Sequence, residues 1–382
     1  MTSTLAPPPP GAAVVRGRCR TIVQVVINLG KGGMEAIAVN LARGLDRTRF
    51  RPILIALDAG GEHEAELRDA GIAYSVLGTR RWRDPRFHWT LWKLLRRLQP
   101  DVVHTHHFSP LLHTVSAARL AGVPRLVHTE HSWQYLEHRP AHRRALRWMS
   151  RLSDAFVVVG SSMAPYYRDH VQVAPEQLRV IPNGIDTDRY RPAADVAAAR
   201  RAHGLPPGLL VGTAGRFFPV KDYGLLVQAA AILVPSHPDL HLVMIGDGLE
   251  RPALEELVRQ LGVEGHVHFL GWRSDASDLL PLLDVFALSS LSEGLPRVVL
   301  EAMACGVPVV TIPVGDLPEV VSEGRTGFFF PIGDAGALAG VLRHLLVADS
   351  SRRALGRAAR TRVVEHYSER AMVEGYVRAY EG

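Results

Sequence analysis

Two glutamates eight positions apart, Glu293 and Glu301, bracket the stretch Ser292-Glu293-Gly294-Leu295-Pro296-Arg297-Val298-Val299-Leu300-Glu301-Ala302-Met303-Ala304-Cys305-Gly306. A proline suits the first position of a helix, where its missing N–H costs nothing, so Pro296 predicts a helix start with Glu293 in the loop before it and Glu301 inside it. Free amides at such an end, with the helix dipole behind them, suit a pyrophosphate. Gly294, Leu295 and Pro296 would then border the anion, Glu293 could bond sugar hydroxyls, and Glu301 a ribose. The plainer alternative is a loop glutamate plus a helix-face glutamate, with Ala302, Met303 and Ala304 as core.

A second candidate pair is Arg216 and Lys221, in Gly215-Arg216-Phe217-Phe218-Pro219-Val220-Lys221-Asp222. Two cations fixed just past a glycine-ended strand can stabilise the charge on a departing phosphate without a metal. Elsewhere such a pair is ordinary solvated surface. Gly246 and Gly248 in Ile245-Gly246-Asp247-Gly248, and Gly271 in Phe269-Leu270-Gly271-Trp272, read as turns at strand ends that line a ligand and do no chemistry. In Gly30-Lys31-Gly32-Gly33-Met34-Glu35, Glu35 stands where a dinucleotide fingerprint needs its third glycine, which leaves an NAD enzyme a weak alternative. No P-loop pattern is present.

Histidines gather at two strand ends, His104, His106 and His107 at one and His128 and His131 at the other. With Glu130 among them, zinc ligation and structural hydrogen bonding both stay open, although the spacing is not that of a ligand set. Asp186-Thr187-Asp188 spells a metal-binding Asp-x-Asp, but after Asn183-Gly184 turn capping explains it better.

These residues must be positioned by an alternation of strands and helices. Short apolar runs at 21–28, 52–57, 101–104, 125–129 and 155–159, with amphipathic stretches between, predict one doubly wound parallel unit. The pattern breaks at Ile181-Pro182-Asn183-Gly184 and through Pro206-Pro207-Gly208, then restarts with strands at 209–215, 240–245, 266–270, 285–288, 307–311 and 327–330. Two α/β domains follow, 1–190 and 191–365, with a last helix within 366–382 crossing back onto the first. A cleft at the carboxyl ends of both sheets is where ligands of such folds bind.

Length and composition agree. The 382 residues, 47% hydrophobic, suffice for two cores, and the two cysteines, Cys19 and Cys305, suggest neither a disulfide framework nor a zinc site. No apolar run is long enough for a signal peptide or a spanning helix, so a soluble cytoplasmic protein is expected. Residues 1–190 carry about +10 net charge and the remainder about −4. That basic half suits an anionic membrane surface or a phosphorylated acceptor; no nucleic-acid-binding motif accompanies it. The 80–98 stretch, with Trp82, Trp89 and Trp92 among arginines, reads either as an interfacial helix or as a packed helix with a solvated basic face.

Together the E-x7-E helix with Gly-x-Pro after it, the Gly-Arg-x4-Lys segment and the Gly-Gly-x-Glu loop resemble glycosyltransferase family 4, from Val23 to Tyr380 and in the family's order. The resemblance implies the GT-B fold, two Rossmann-like domains facing an interdomain cleft, and a retaining hexosyl transfer from a nucleotide diphosphate sugar to a sugar, glycolipid or lipid-linked acceptor, in polysaccharide or glycolipid biosynthesis. It implies no metal or other cofactor, the nucleotide sugar being a co-substrate. On it, Arg216 and Lys221 hold the donor's phosphates, and the amides of Gly32 and Gly33 approach the donor. In Asp101-Val102-Val103-His104-Thr105-His106 and the following strand end, His131 matches the histidine set against the transferred sugar. With Arg216, Lys221 and Glu293, it completes the catalytic set. Attack on the same face, the leaving phosphate taking the proton, is favoured over a covalent intermediate, for which no nucleophile stands out. Two departures are Val220, where the family has glutamate, and Asp222, where it has glycine. Other readings are an epimerase or hydrolase on the same fold, and a non-catalytic nucleotide-sugar binding protein. Contact with the inner membrane face is also implied.

Overall fold

The computed structural model describes residues 19–30, 32–78 and 84–382. Lys31, the prolines at 7–10, and Trp82 with its flanking arginines lie outside the described residues.

The chain divides into two compact units, Met1–Gly184 with Glu369–Gly382, and Ile185–Ser368. The first holds seven parallel strands, β1 (Arg20–Asn28), β2 (Phe50–Ala59), β3 (Ala73–Val76), β4 (Val102–His106), β5 (Arg125–Glu130), β6 (Ala155–Val158) and β7 (Leu178–Val180), in the order β3-β2-β1-β4-β5-β6-β7. The second holds six, β8 (Leu209–Ala214), β9 (Leu240–Ile245), β10 (Val267–Gly271), β11 (Val285–Leu288), β12 (Val309–Thr311) and β13 (Gly327–Phe329), in the order β10-β9-β8-β11-β12-β13. In each sheet the chain winds outward from its first strand, then returns to that strand's other side. Each therefore has a switch point, between β1 and β4 in one unit and between β8 and β11 in the other.

Central strands read as apolar runs because helices cover both their faces. Val285, Phe286, Ala287 and Leu288 are all fully buried, as are Ala155, Phe156, Val157 and Val158. Strands β3 and β7, four and three residues long, are not expected from the sequence; the sheet's edges recruit them.

The Glu369–Glu381 helix packs on the first unit. Tyr376 and Tyr380 are buried, Arg125 donates to the Ala379 carbonyl at 2.7 Å, and Asn40 donates to Glu369 at 2.6 Å. Division falls at 184/185 and 368/369, against the expected 190/191 and 365/366. Ile185, 1% exposed, sits in the second unit's core, and its amide donates to the Tyr367 carbonyl at 2.8 Å.

Candidate functional site

In the second unit, the loop after β8 carries Arg216 and Lys221, and the loop after β11 carries Glu293. Because β8 and β11 are neighbours across the switch point, residues 72 positions apart meet: Lys221 Nζ donates to Glu293 Oε1 at 2.5 Å. A pocket of about 630 Å³ is lined by Gly215, Arg216, Lys221, Glu293, Pro296 and Arg297, among others. Arg216 is exposed, its guanidinium 5.1 Å from the centre of the Phe218 ring, and among the described residues no carboxylate pairs with it.

Lys221 is placed by a short 3-10 turn, Pro219–Lys221, ended by Asp222 in the left-handed conformation with φ 46°. Aspartate is among the few non-glycine residues that tolerate this region, so the departure from glycine keeps the loop's geometry. The fully buried Ser289 holds the turn, its hydroxyl reaching the carbonyls of Lys221 at 2.9 Å and Asp222 at 2.8 Å.

The expected helix spans Arg297–Ala304, with Pro296 as its extended N-cap, one position earlier than the sequence suggested. Its first-turn amides therefore begin at Arg297, which lines the pocket. Glu301 lies one turn further in, 3.8 Å from Arg297 Nε and near Tyr190. Burial raises its carboxyl above the ordinary range, and Arg297 and Tyr190 oppose that shift. Gly294 is fixed by its carbonyl, which accepts from the Asp316 amide at 2.9 Å, and Leu295 packs on the core.

Gly246, Gly248 and Gly271, expected to line the ligand, are not among the residues that line this pocket; they stitch strand ends together. The Gly246 amide donates to the Gly271 carbonyl at 2.8 Å, and a Cβ on Gly246 would lie 1.9 Å from the Gly215 carbonyl oxygen. Gly248 closes the turn whose Asp247 carbonyl accepts from Phe217. Asp186 accepts from the amides of Asp188 and Arg189, a turn cap.

In the first unit, Gly32 is the N-cap and Gly33 the first residue of the Gly33–Gly44 helix, directly beyond β1. At the end of neighbouring β4, His106 Nε2 lies 2.9 Å from Gln24 Oε1 of β1, and His106 Nδ1 lies 3.3 Å from His131 Nε2, just past β5. His128 turns the other way, its Nδ1 2.9 Å from Thr105 Oγ1 and its Nε2 3.2 Å from Glu130 Oε1. His104 bridges Tyr380 and Thr129 at 2.8 Å each. Burial lowers His128 and His131 to about 3 and raises Glu130 to about 7. These rings are neutral hydrogen-bonding groups. Among the described residues no His, Cys, Asp or Glu side chains group to hold a metal ion, and no helix is long and apolar enough to cross a membrane.

Comparison with known proteins follows the two units closely. A family model described as Glycosyltransferase Family 4 matches residues 31–189, and one described as Glycosyl transferases group 1 matches residues 196–362. The N-acetyl-alpha-D-glucosaminyl L-malate synthase of Bacillus anthracis is 30% identical over 75% of this chain and 76% of its own length. The chain belongs to glycosyltransferase family 4. This glycosyltransferase is also 29% identical to the UDP-Gal:alpha-D-GlcNAc-diphosphoundecaprenol alpha-1,3-galactosyltransferase of Escherichia coli, over 64% of this chain and 66% of that enzyme. Anabaena HepE, crystallised with UDP, superposes with a TM-score of 0.80 at 22% identity, over 95% of this chain and 99% of that one, which shows the GT-B fold.

Three residues that touch the candidate site carried no local signal. Ser289 reads as one more strand-end serine and Tyr190 as part of a linker. Gly315, with φ 57°, comes so close to the Glu293 loop that a Cβ there would lie 2.3 Å from the carbonyl oxygens of Glu293 and Gly294. Only the fold brings each to its partner.

Proposed function

We propose that this glycosyltransferase binds a nucleotide diphosphate sugar in the second unit's pocket and moves its sugar, with retention, to an acceptor hydroxyl. The observation that carries this reading is the convergence of Arg216, Lys221 and Glu293 at the β8/β11 switch point, beside the first turn of the Arg297–Ala304 helix. Arg216 and Lys221 neutralise the charge that develops on the departing diphosphate, Glu293 orients sugar hydroxyls, and Glu301 takes the ribose. Gly294, Leu295 and Pro296 shape the anion's bed, and Gly246, Gly248 and Gly271 hold the surrounding turns. From the first unit, His131 and the Gly32–Gly33 turn take part in the reaction. The chemistry asks for no metal, because the cations already supply the charge. Departing phosphate takes the acceptor proton on the same face.

Uridine diphosphate hexoses are the first donors to try, since the Escherichia coli relative's name gives UDP-Gal and HepE was solved with UDP. The acceptors in the two relatives' names, a diphosphoundecaprenol-linked sugar and L-malate, are both anionic. An anionic acceptor fits the basic first unit. Its Pro85–Leu98, Phe108–Leu120 and Pro140–Ser150 helices carry no carboxylate, and they expose Trp89, Leu120 and Trp148. Apolar side chains set among cations suit the anionic inner face of a membrane, where a lipid-linked acceptor would be met from the cytoplasm.

A thermal-shift screen across UDP-, GDP-, ADP- and dTDP-sugars tests the donor site, because a binder stabilises the fold by mass action. A shift with one nucleotide class, lost in Lys221→Met, is expected; no shift with any would overturn the reading. Flotation with phosphatidylglycerol and phosphatidylcholine vesicles tests the membrane face. Equal recovery with both lipids removes it.

A further inference from the structure

Gln24 is an anomaly on β1: a fully buried amide among Ile22, Val23, Val25 and Val26, all of which are core. Its side chain lies toward β4, the strand on the far side of the switch point, where His106 is equally buried. From Gln24 a line of contacts runs outward, Gln24 Oε1 to His106 Nε2 at 2.9 Å, then His106 Nδ1 to His131 Nε2 at 3.3 Å. The two rings are stacked, with centres 5.6 Å apart and planes 26° from parallel.

A neutral imidazole has one N–H and one lone pair, so the protons along such a line are not independent. An amide oxygen can only accept. With that oxygen facing the ring, rather than the same amide's Nε2, which has no partner among the described residues, His106 carries its proton on Nε2, which leaves Nδ1 as a lone pair, and His131 donates to it from Nε2. His131 is left with an unprotonated Nδ1. Burial keeps both rings neutral, so a second proton does not blur the assignment. We propose that Gln24 is a positioning residue that fixes the tautomer of His131 through His106, so that His131 presents Nδ1 as a hydrogen-bond acceptor for a substrate hydroxyl.

The functional half of this inference rests on the reading of His131 as a reaction residue; the proton register does not. Two measurements separate them. Nitrogen-15 NMR of histidine-labelled protein, with signals assigned through His106→Asn and His131→Asn, should show both rings in the Nε2–H form. Gln24→Met, which keeps the side chain's length but offers no oxygen, should shift both rings toward mixed tautomers, and Gln24→Glu should restore the Nε2–H form. His131 carrying its proton on Nδ1 in the native protein, or tautomers unmoved in Gln24→Met, would overturn the proposal. In the transfer assay, Gln24→Met should lower kcat by about a hundredfold with KM little changed, and Gln24→Glu should recover most of it. If the register follows Gln24 but turnover does not, the relay stands and the role of His131 in the reaction falls.

Discussion

Lys221 and Glu293 hold each other at 2.5 Å from two loops that leave adjacent strands at the switch point. Their side chains are 24% and 12% exposed, so each charge depends on the other for part of its solvation. A phosphate bound as proposed would meet a cation already neutralised by a carboxylate. On the proposed reading, donor binding is an exchange of partners, in which phosphate replaces Glu293 beside Lys221 and sugar hydroxyls replace Lys221 beside Glu293.

Removing one member of this pair should therefore damage two properties by different routes. Lys221→Met is expected to lower kcat/KM by about 10²- to 10³-fold and to cost roughly 1–3 kcal/mol of stability by stranding Glu293. Lys221→Met with Glu293→Gln should regain the stability but not the activity. Urea unfolding read beside steady-state kinetics checks both. Equal stability of the single and double variants would show that the pair is already solvated well enough to stand alone.

Arg216 should behave differently, because it is exposed and among the described residues pairs with no carboxylate. Arg216→Ala is expected to leave the unfolding midpoint unchanged and to lower kcat/KM by about a hundredfold. Arg216→Lys should recover little, since a point charge does not reproduce the planar fork against a diphosphate. Full activity in the lysine variant would reduce the role of Arg216 to long-range charge.

Gly315 links the candidate pocket to a loop with no chemistry of its own. At φ 57°, with the carbonyl oxygens of Glu293 and Gly294 2.3 Å from any Cβ, Gly315→Ala must displace the loop that carries Glu293. Its predicted cost is about 2 kcal/mol or more, with a larger loss of kcat than Gly324→Ala, whose glycine also has positive φ but an open surrounding. Similar kinetics in the two variants would separate Gly315 from the site.

Glu130 provides a pH signature. Its folded value of about 7 lies above the ordinary 4.5, raised by burial against the pull of His107 and Tyr135. The protonated form is therefore favoured by folding: its stabilisation is complete below pH 4.5 and is lost as pH rises to 7. Glu130→Gln mimics that protonated form. The native protein should lose up to about 3 kcal/mol relative to it between pH 4.5 and 7, and nothing further above. His107 and His128 titrate in both chains and largely cancel in the difference. A constant gap across that range would place the Glu130 carboxyl in contact with water.

What the sequence made legible was what repeats or sits at a strand end. Eleven apolar runs located eleven of the thirteen strands, and Glu293, Arg216 and Lys221 could be placed because each follows such a run closely. Edge strands β3 and β7 escaped notice, since Ser75 and Arg179 interrupt their short apolar runs and they take their conformation from the neighbouring strand. Ser289, Gly315 and Gln24 escaped for another reason. Each acts on a residue far away in the chain, and a serine, a glycine or a glutamine looks the same with or without that partner. Pro296 shows a smaller limit: proline marks a helix start within one residue, and which amide comes first depends on the loop.

The return of the Glu369–Glu381 helix to the first unit sets an order of assembly. Although most residues of the first unit leave the ribosome before the second, Tyr376 and Tyr380, which close over His104 and Thr129, emerge only after the whole of the second unit. The second unit is a continuous insertion whose two ends, Ile185 and Ser368, are bridged side by side. It can finish folding during synthesis, while the unit begun first waits for the Glu369–Glu381 helix to be made before it is sealed.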